Sequence, residues 1–222
     1  MDPEPIVFVV DDDEAVRNSL RFLVESSGMK AVTYANAGEF LRAYQSNQAG
    51  CLVLDVRLPG MGGLDLQQQL AASGVRIPVI IVTGYGDVPN AVLAMRHGAL
   101  DFIEKPYDDK LMLDRIEKAL ALDQQRRCDH AVRQEVAARI AALTAREREV
   151  MELVVNGLPN KQIASSLGIS TKTVEAHRAR VMEKMRADSM AGLVRLVQDA
   201  NDRADRHPSQ EEPATRPSRS AP

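Results

Sequence analysis

The sequence predicts a doubly wound α/β domain with a five-stranded parallel sheet, followed by a smaller all-α domain of the helix-turn-helix type. Apolar, strand-like runs alternate five times with helical patterns, which is typical of a parallel sheet covered by helices on both faces. These runs occupy residues 6–10, 31–34, 51–55, 78–83 and 101–106. Further along, three short helical patterns separated by glycines and capping residues predict the second domain.

Length and composition are those of a two-domain protein. The chain has 222 residues, and no apolar run reaches the ~18 residues that a transmembrane helix needs. The first residues lack the basic start and apolar core of a signal peptide. Two distant cysteines, Cys51 and Cys128, fit a reducing compartment better than a disulfide framework. We therefore expect a cytoplasmic protein with no membrane contact.

Charge is distributed unevenly between the two parts. Up to Asp123 the chain carries 18 acidic and 11 basic residues, whereas the remainder carries 13 acidic and 17 basic residues. This asymmetry indicates two domains with different partners. The small basic excess alone does not establish nucleic-acid binding.

Individual elements are marked by capping signals. A helix over residues 15–27 ends at Gly28, and Asn36 with Glu39 predicts a capped helix start. Residues 64–72 follow a glycine-rich loop and have a helical pattern. Asp87 is expected to cap the next helix.

Unusual polar residues stand at the carboxyl ends of four strands. They are Asp11 and Asp12, then Asp55, Thr83 and Lys105. The carboxyl ends of parallel strands gather at one edge of the sheet, where ligands bind. We therefore expect these five side chains to converge on one site. For the acidic run at Asp11 alone, a capped and solvated helix start is the simpler alternative to a cation site.

These residues and their neighbours resemble a known domain. Val10-Asp11-Asp12-Asp13, Asp55 with Pro59 and Gly63, Thr83-Gly84 and Lys105-Pro106 are similar to the motifs of the receiver domain of bacterial two-component response regulators. The resemblance covers residues 6–122, and the segments 83–89 and 101–106 resemble the FixJ branch in particular. It implies a flavodoxin- or CheY-like fold.

The resemblance also implies site roles that the chemistry supports. Asp55 would be the phosphoacceptor, and Mg²⁺ would be held by Asp55 with Asp11, Asp12 and the backbone carbonyl of Arg57. Carboxylates, carbonyls and waters are the ligands that Mg²⁺ prefers.

Three further roles follow from the same resemblance. Lys105 and Thr83 would bind the phosphoryl oxygens. Phe102 would be the aromatic switch residue that moves with Thr83, although a plain core phenylalanine fits equally well. The Lys105-Pro106 bond is a candidate cis peptide.

A long stretch without glycine or proline, residues 107–156, connects the two parts. We interpret residues 124–142 as a helical linker between a receiver domain over residues 1–123 and a DNA-binding domain over residues 143–200. A helix that breaks near residues 126–129 is the alternative. The polar, proline-containing tail over residues 201–222 is expected to be disordered.

The second domain begins with a capping box at Thr144 and Glu147. Asn160 is expected to cap the next helix, Gly168 to make the turn, and Ser170 to cap the third helix. The sequence of residues 143–200 resembles the LuxR-type DNA-binding domain, whose fourth helix, here residues 189–200, forms the dimer contact in the DNA-bound state. Packing against the core of the domain is the alternative role for the apolar residues of this helix.

The third helix, residues 170–185, is the candidate recognition helix. Because phosphate contacts position a protein and base contacts specify the site, the polar residues divide into two sets. The expected phosphate contacts are Lys172, His177, Arg180 and Lys184, and the expected base-facing residues are Glu175, Ala176, Arg178 and Ala179, with Thr173 beside them. For His177, packing between helices is an equally good interpretation.

These features together predict a phosphorylation-activated transcription factor and not an enzyme. Its expected partners are a sensor histidine kinase, double-stranded promoter DNA, a second copy of the chain when phosphorylated, and RNA polymerase.

The alternative is a degenerate receiver with phosphorylation-independent DNA binding, which would lack one of the five site residues. A phosphatase of the haloacid-dehalogenase type would need an acid where Arg57 stands. A sigma-factor-like module would not need a receiver.

Overall fold

The computed structural model describes residues 4–46, 48–84 and 88–205, with side chains described up to residue 199. The chain divides into two compact units, of which the first ends at Arg127 and the second begins at Cys128. Within the described ranges, none of the helices combines the length and apolar character needed to cross a membrane.

The first unit is built from five strands and five helices among the described residues. The strands are β1 (Ile6–Val10), β2 (Lys30–Tyr34), β3 (Gly50–Asp55), β4 (Val79–Thr83) and β5 (Asp101–Glu104). The helices are α1 (Glu14–Ser26), α2 (Ala37–Ala43), α3 (Gly63–Ala72), α4 (Val88–Arg96) and the first part of α5 (Asp109–Ala141), which continues into the second unit.

All five strands pair in parallel, in the order β2-β1-β3-β4-β5. The predicted doubly wound α/β fold is thereby confirmed. The chain order reverses between β1 and β3, so the carboxyl ends of these two neighbouring strands flank the crevice in which such folds bind ligands. Val10 of β1 pairs with Leu54 of β3, and the residues that follow them in the sequence, Asp11 and Asp55, both carry a carboxylate.

Two apolar clusters cover the two faces of the sheet. Alternate residues of β3 point to opposite faces, so that Leu52 and Leu54 join one cluster while Cys51 and Val53 join the other. Helices α2, α3 and α4 contribute to the first cluster, and α1 and α5 contribute to the second. Burial on both faces explains why these strands are continuous apolar runs instead of alternating ones.

Element ends differ from the prediction mainly at β5. We expected this strand to reach Pro106, but it ends at Glu104. Proline lacks the amide proton that a strand ladder needs, and the Lys105–Pro106 bond is cis, as predicted. The predicted helix cap at Asp87 lies outside the described residues.

Helix α5 is continuous over 33 residues. Asp108 starts it by accepting hydrogen bonds from the backbone amides of Lys110 and Leu111, at 2.9 and 3.1 Å. The break considered near residues 126–129 does not occur, because no glycine or proline interrupts the helical hydrogen bonds there.

The second unit packs helices around its own apolar cluster, to which Val136 of α5 also belongs. Its helices are α6 (Ala145–Val155), α7 (Asn160–Leu167), α8 (Thr171–Met185) and α9 (Met190–Asp205). Fully buried Ile163 of α7 and Val174 of α8 lie in this cluster, so the two helices of the helix-turn-helix share one core. Between them, Gly168 adopts the left-handed conformation that a tight turn requires.

Two of the three predicted helix caps in this unit are confirmed. Thr144 and Glu147 form the reciprocal capping box, and the Ser170 hydroxyl accepts from the Thr173 amide at 3.1 Å. The prediction for Asn160 was wrong, because Pro159 is the N-cap and Asn160 is the first residue of the helix. Proline fixes a backbone φ that suits this helix start, which leaves the Asn160 side chain available for another contact.

Helix α9 also extends beyond its predicted end at residue 200 and continues to Asp205. The predicted disorder is therefore wrong for residues 201–205. Residues 201–205 are polar except for Ala204, none is a glycine or proline, and the first proline after them is Pro208. Residues 206–222 lie outside the described part of the chain.

An ion pair between a buried carboxylate and a partly exposed ammonium joins helices α6 and α8. Glu147 is only 3% exposed, and its Oε2 lies 2.6 Å from the Lys184 ammonium while also accepting from the Thr144 amide at 2.9 Å. These hydrogen bonds, with Lys184 first, lower the pKa of Glu147 from 4.5 to about 2. The carboxylate form is thus favoured in the folded unit.

This lowered pKa predicts acid sensitivity of the second unit. The pKa of Glu147 is lower in the folded state than in the unfolded state. The stabilisation that its carboxylate gives the second unit is therefore complete above about pH 4.5 and is lost as the pH falls towards 2. We expect thermal unfolding, followed by circular dichroism, to shift to lower temperature over this range more steeply in wild type than in Glu147→Gln. Parallel pH profiles of the two proteins would contradict the assignment.

Candidate functional site: a carboxylate and lysine cluster, and an exposed recognition helix

Three carboxylates meet at the carboxyl edge of the sheet. Asp11 directly follows β1 and Asp55 ends β3, and they are 2% and 7% exposed, whereas Asp12 is exposed. One carboxylate oxygen of each residue lies within 4.8 Å of the others. The convergence follows from topology, because β1 and β3 are parallel neighbours that end at the same edge.

Lys105 lies between the two buried carboxylates. Its Nζ is 2.5 Å from Asp11 Oδ2 and 2.7 Å from Asp55 Oδ2. Burial alone would lower the pKa of Lys105, but the hydrogen bonds and charges of both aspartates outweigh it and raise this pKa. Burial raises the pKa of Asp11, and the contact with Lys105 opposes that rise. The ammonium therefore stays charged and compensates two carboxylates that are withdrawn from water.

Backbone amides fix the second oxygen of each buried carboxylate. Asp55 Oδ1 accepts from the Arg57 amide at 3.0 Å, and Asp11 Oδ1 accepts from the Asp13 amide at 3.0 Å. Asp13 also caps α1 through its side chain, as the alternative of a capped helix start at this acidic run predicted. Its position as the last acid before a helix was the available signal. With both oxygens held, the two carboxylates are oriented before any ligand arrives.

Close packing at Gly63 also defines the site. A Cβ added to this residue would lie 1.9 Å from the carbonyl oxygen of Asp55, so the start of α3 touches the backbone that carries the carboxylate. Only glycine allows this approach. At neighbouring Gly62, an added Cβ would lie 3.2 Å from the end of the Asp65 side chain and 3.7 Å from the Val56 carbonyl oxygen, which is an ordinary contact distance.

We therefore expect Gly63→Ala to displace α3 or the end of β3. The first unit should lose about 1–3 kcal/mol of stability, the usual cost of overpacking a core, and Mg²⁺-dependent phosphate uptake should slow. Gly62→Ala is the matched control and should be close to wild type in both measurements, made by urea unfolding and intact mass. Equal behaviour of the two variants would show that the contact with Asp55 is unimportant.

Thr83 and Phe102 complete the predicted set in the first unit. Thr83 ends β4 and is 1% exposed, and its carbonyl accepts from the Lys105 amide at 2.7 Å. Phe102 in β5 is partly buried and packs against the cluster formed with α2, α3 and α4. Arg57 is exposed and follows Asp55 by two residues. The switch role of Thr83 and Phe102, and the carbonyl ligand from Arg57, stay predictions.

The arrangement at this edge suits one kind of chemistry. Three carboxylates in close reach can hold a hard divalent cation, and a fixed ammonium can bind an oxygen of a phosphoryl group. A carboxylate whose oxygens are already oriented can act as a nucleophile towards phosphorus.

In the second unit, α8 presents one exposed face. Lys172, Ala176 and Ala179 recur at helical spacing on this face, with Glu175 and Arg180 on its two sides, and all five are exposed. Thr173 is exposed as well, but its hydroxyl pairs with the Ser170 hydroxyl at 2.8 Å.

Three predicted DNA contacts lie elsewhere on the helix. Lys184 donates to Glu147 and to the Ala142 carbonyl, and its role as a phosphate contact stays a prediction. Arg178 Nη1 donates to Asn160 Oδ1 on α7. His177 is half-buried, and its Nδ1 is buried without a hydrogen-bond partner in the described part of the chain.

Helical periodicity explains these positions. Arg178 follows buried Val174 by four residues and precedes buried Val181 by three, so it lies at the edge of the packing face. Lys184 directly precedes buried Met185 and follows Val181 by three residues. This spacing is visible in the sequence, although we expected Arg178 and Lys184 on the outer face of the helix.

Comparison with known proteins agrees with both units. The family described as response regulator receiver domain matches residues 7–117, and the luxR family of bacterial regulatory proteins matches residues 141–197. The transcriptional regulatory protein FixJ of Azorhizobium caulinodans is 49% identical over 196 residues, which cover 88% of this chain and 93% of that protein. The response regulator protein TodT of Pseudomonas putida is 39% identical, with 90% and 88% covered.

Solved structures give the same result. The response regulator StyR is similar with a TM-score of 0.81 and 44% identity, over 88% of this chain and 98% of that one. Full-length FixJ from B. japonicum is similar with a TM-score of 0.56 and 44% identity, over 90% and 98% of the two chains. The chain therefore belongs to the FixJ/NarL family of two-component response regulators, with a receiver domain and a LuxR-type helix-turn-helix domain, and is a phosphorylation-dependent transcriptional regulator.

Proposed function

We propose that Asp55 accepts a phosphoryl group from a sensor histidine kinase and that the resulting acyl phosphate drives dimerisation and promoter binding. One observation carries this proposal: the oriented carboxylates of Asp11 and Asp55 share the Lys105 ammonium, in a chain that also carries an exposed recognition helix.

The transfer itself needs one bond to form and one to break. A carboxylate oxygen of Asp55 forms a bond to phosphorus while the bond from phosphorus to the imidazole nitrogen of the kinase histidine breaks. The electron pair of that bond stays on the imidazole. Lys105, released from its contact with Asp55, binds an oxygen of the new acyl phosphate, and Thr83 binds another.

The three carboxylates fit a magnesium ion. Asp11, Asp12 and Asp55, with the carbonyl of Arg57, are the residues that would hold Mg²⁺. When bound, the ion would neutralise charge on the phosphoryl oxygens. The ion would also compensate the negative charge of these buried acids, because Lys105 is a single cation that contacts both Asp11 and Asp55.

Phosphorylation would act on a two-state receiver. Contact between Thr83 and the phosphoryl group, together with a change at Phe102, would favour the conformer that dimerises. Two copies of α8 would then lie in successive major grooves of an inverted repeat, with α9 as the dimer contact on DNA. RNA polymerase is the expected partner at the promoter. Since the second partner is DNA, we place the protein in the cytoplasm.

Sedimentation velocity with acetyl phosphate and Mg²⁺ tests this function. We expect the 24.4 kDa chain to take up one phosphate and to shift from monomer to dimer, with no shift when Mg²⁺ is chelated. Phosphate uptake without a change in sedimentation would contradict the dimer. No uptake would favour the alternative of a degenerate receiver with phosphorylation-independent DNA binding.

A further inference from the structure

We infer that Asn160 and Arg178 form a positioning pair that sets helix α8 across α7, and that Arg178 does not read a base. This inference rests on the proposed DNA binding and identifies which residues of α8 are recognition residues. It assigns the pair an indirect role, through the placement of the exposed face of α8.

The contact joins the two helices of the helix-turn-helix away from their turn. Asn160 is the first residue of α7, and Arg178 is near the middle of α8, where its Nη1 donates to Asn160 Oδ1. Gly168 and Ser170 fix the helices at the turn. The hydrogen bond from Arg178 to Asn160 is a second contact, at the opposite end of α7, and it restricts the angle between the two helices.

The core between these helices leaves some freedom in that angle, because the crossing angles that side-chain packing prefers scatter by about 15–20°. Ile163 and Val174 are fully buried between them, but apolar contacts are not directional. A hydrogen bond from a guanidinium has a defined geometry. The Asn160 side chain is available for it because Pro159 starts the helix without a side-chain cap.

The position of Arg178 on the helix argues against base contact. Both Arg178 and Asn160 are half-buried, whereas Glu175, Ala179 and Arg180 are exposed. A guanidinium held on α7 is withdrawn from the exposed face that Lys172, Ala176 and Ala179 define. Reading a guanine would require it to exchange this partner for the base edge.

Positioning of α8, reading of a base and contact with a phosphate are the three roles open to Arg178, and one experiment distinguishes them. Arg178→Met keeps a long apolar stem for packing but removes the donors. Arg180→Met makes the same chemical change at an exposed position and is the matched control. Both are compared with wild type in the phosphorylated full-length chain, on sites selected from a randomised DNA duplex pool and over a series of salt concentrations.

We expect Arg178→Met to weaken binding about tenfold, equally on all sites, since the loss of one hydrogen bond to a charged group has that effect. Its selected sequence and its salt dependence should equal those of wild type. Asn160→Ala should give a similar loss, and the double variant should lose no more than either single one. Arg180→Met should instead flatten the salt dependence.

Other outcomes overturn the inference. A changed base preference in Arg178→Met would make it a reader, and a flatter salt dependence would make it a phosphate contact. Additive losses in the double variant would show that the pair does not act together. Circular dichroism of each variant distinguishes altered placement from unfolding, and unfolding of Arg178→Met alone would give the contact a purely structural role. If wild type selects no sequence at all, the proposed function fails, and not this inference.

Discussion

Asp55→Asn will abolish phosphate uptake from acetyl phosphate in the presence of Mg²⁺, reducing it to the level of a reaction without donor. The amide is isosteric with the carboxylate but is not a nucleophile towards phosphorus. Asp55 is also the only one of the three clustered acids that both ends a strand and contacts Lys105, at 2.7 Å, within the described part of the chain. Intact-mass measurement over time gives the result directly.

Asp13→Asn is the matched control for this prediction. It removes a carboxylate two residues from Asp11, but asparagine caps helices as well as aspartate does, so α1 keeps its N-cap. This variant should take up phosphate at nearly the wild-type rate. An adduct that persists in Asp55→Asn would show that another residue is the acceptor.

Two substitutions on α8 will separate phosphate contacts from base contacts. Arg180→Ala should weaken binding to all sequences alike and lower the slope of affinity against salt by about 2 for a dimer, since each protomer loses one phosphate contact. Glu175→Ala should instead alter the preference at one base position per half-site, at roughly 1–3 kcal/mol for the preferred base. Both residues are exposed on the helix.

Selection from randomised DNA and binding at several salt concentrations measure these effects. Glu183→Ala is the control, because Glu183 is exposed on the same helix but lies near its C-terminal end, and recognition helices use their N-terminal residues for bases. Identical selected sites from wild type and Glu175→Ala would remove Glu175 from the recognition face. A selected site without an inverted repeat would contradict the dimer.

The architecture of the first unit could be predicted because its signals are local. Strands buried on both faces are continuous apolar runs, and parallel topology then places residues such as Asp11, Asp55 and Lys105 at one edge. Individual helix ends were predicted wherever a side chain of the right length stands before the helix, as at Thr144 and Ser170.

Partners of long side chains could not be predicted in the same way. Lys184 and Arg178 can reach several groups, and which one they contact depends on tertiary packing between helices that the sequence does not encode locally. Glu147 illustrates the difficulty, since its capping role was visible from Thr144 but its pairing with Lys184, 37 residues away, was not. Charge on a recognition helix therefore needs to be weighed against helical periodicity.

The central claim is that phosphorylation of Asp55 controls DNA binding, and one measurement tests it most directly. The affinity of the full-length chain for its selected operator is determined with and without acetyl phosphate, at fixed Mg²⁺ and salt, in wild type and Asp55→Asn. We expect the phosphodonor to tighten binding by wild type and to leave Asp55→Asn unchanged. Equal affinities of wild type with and without the donor, despite complete phosphorylation by mass, would contradict the account.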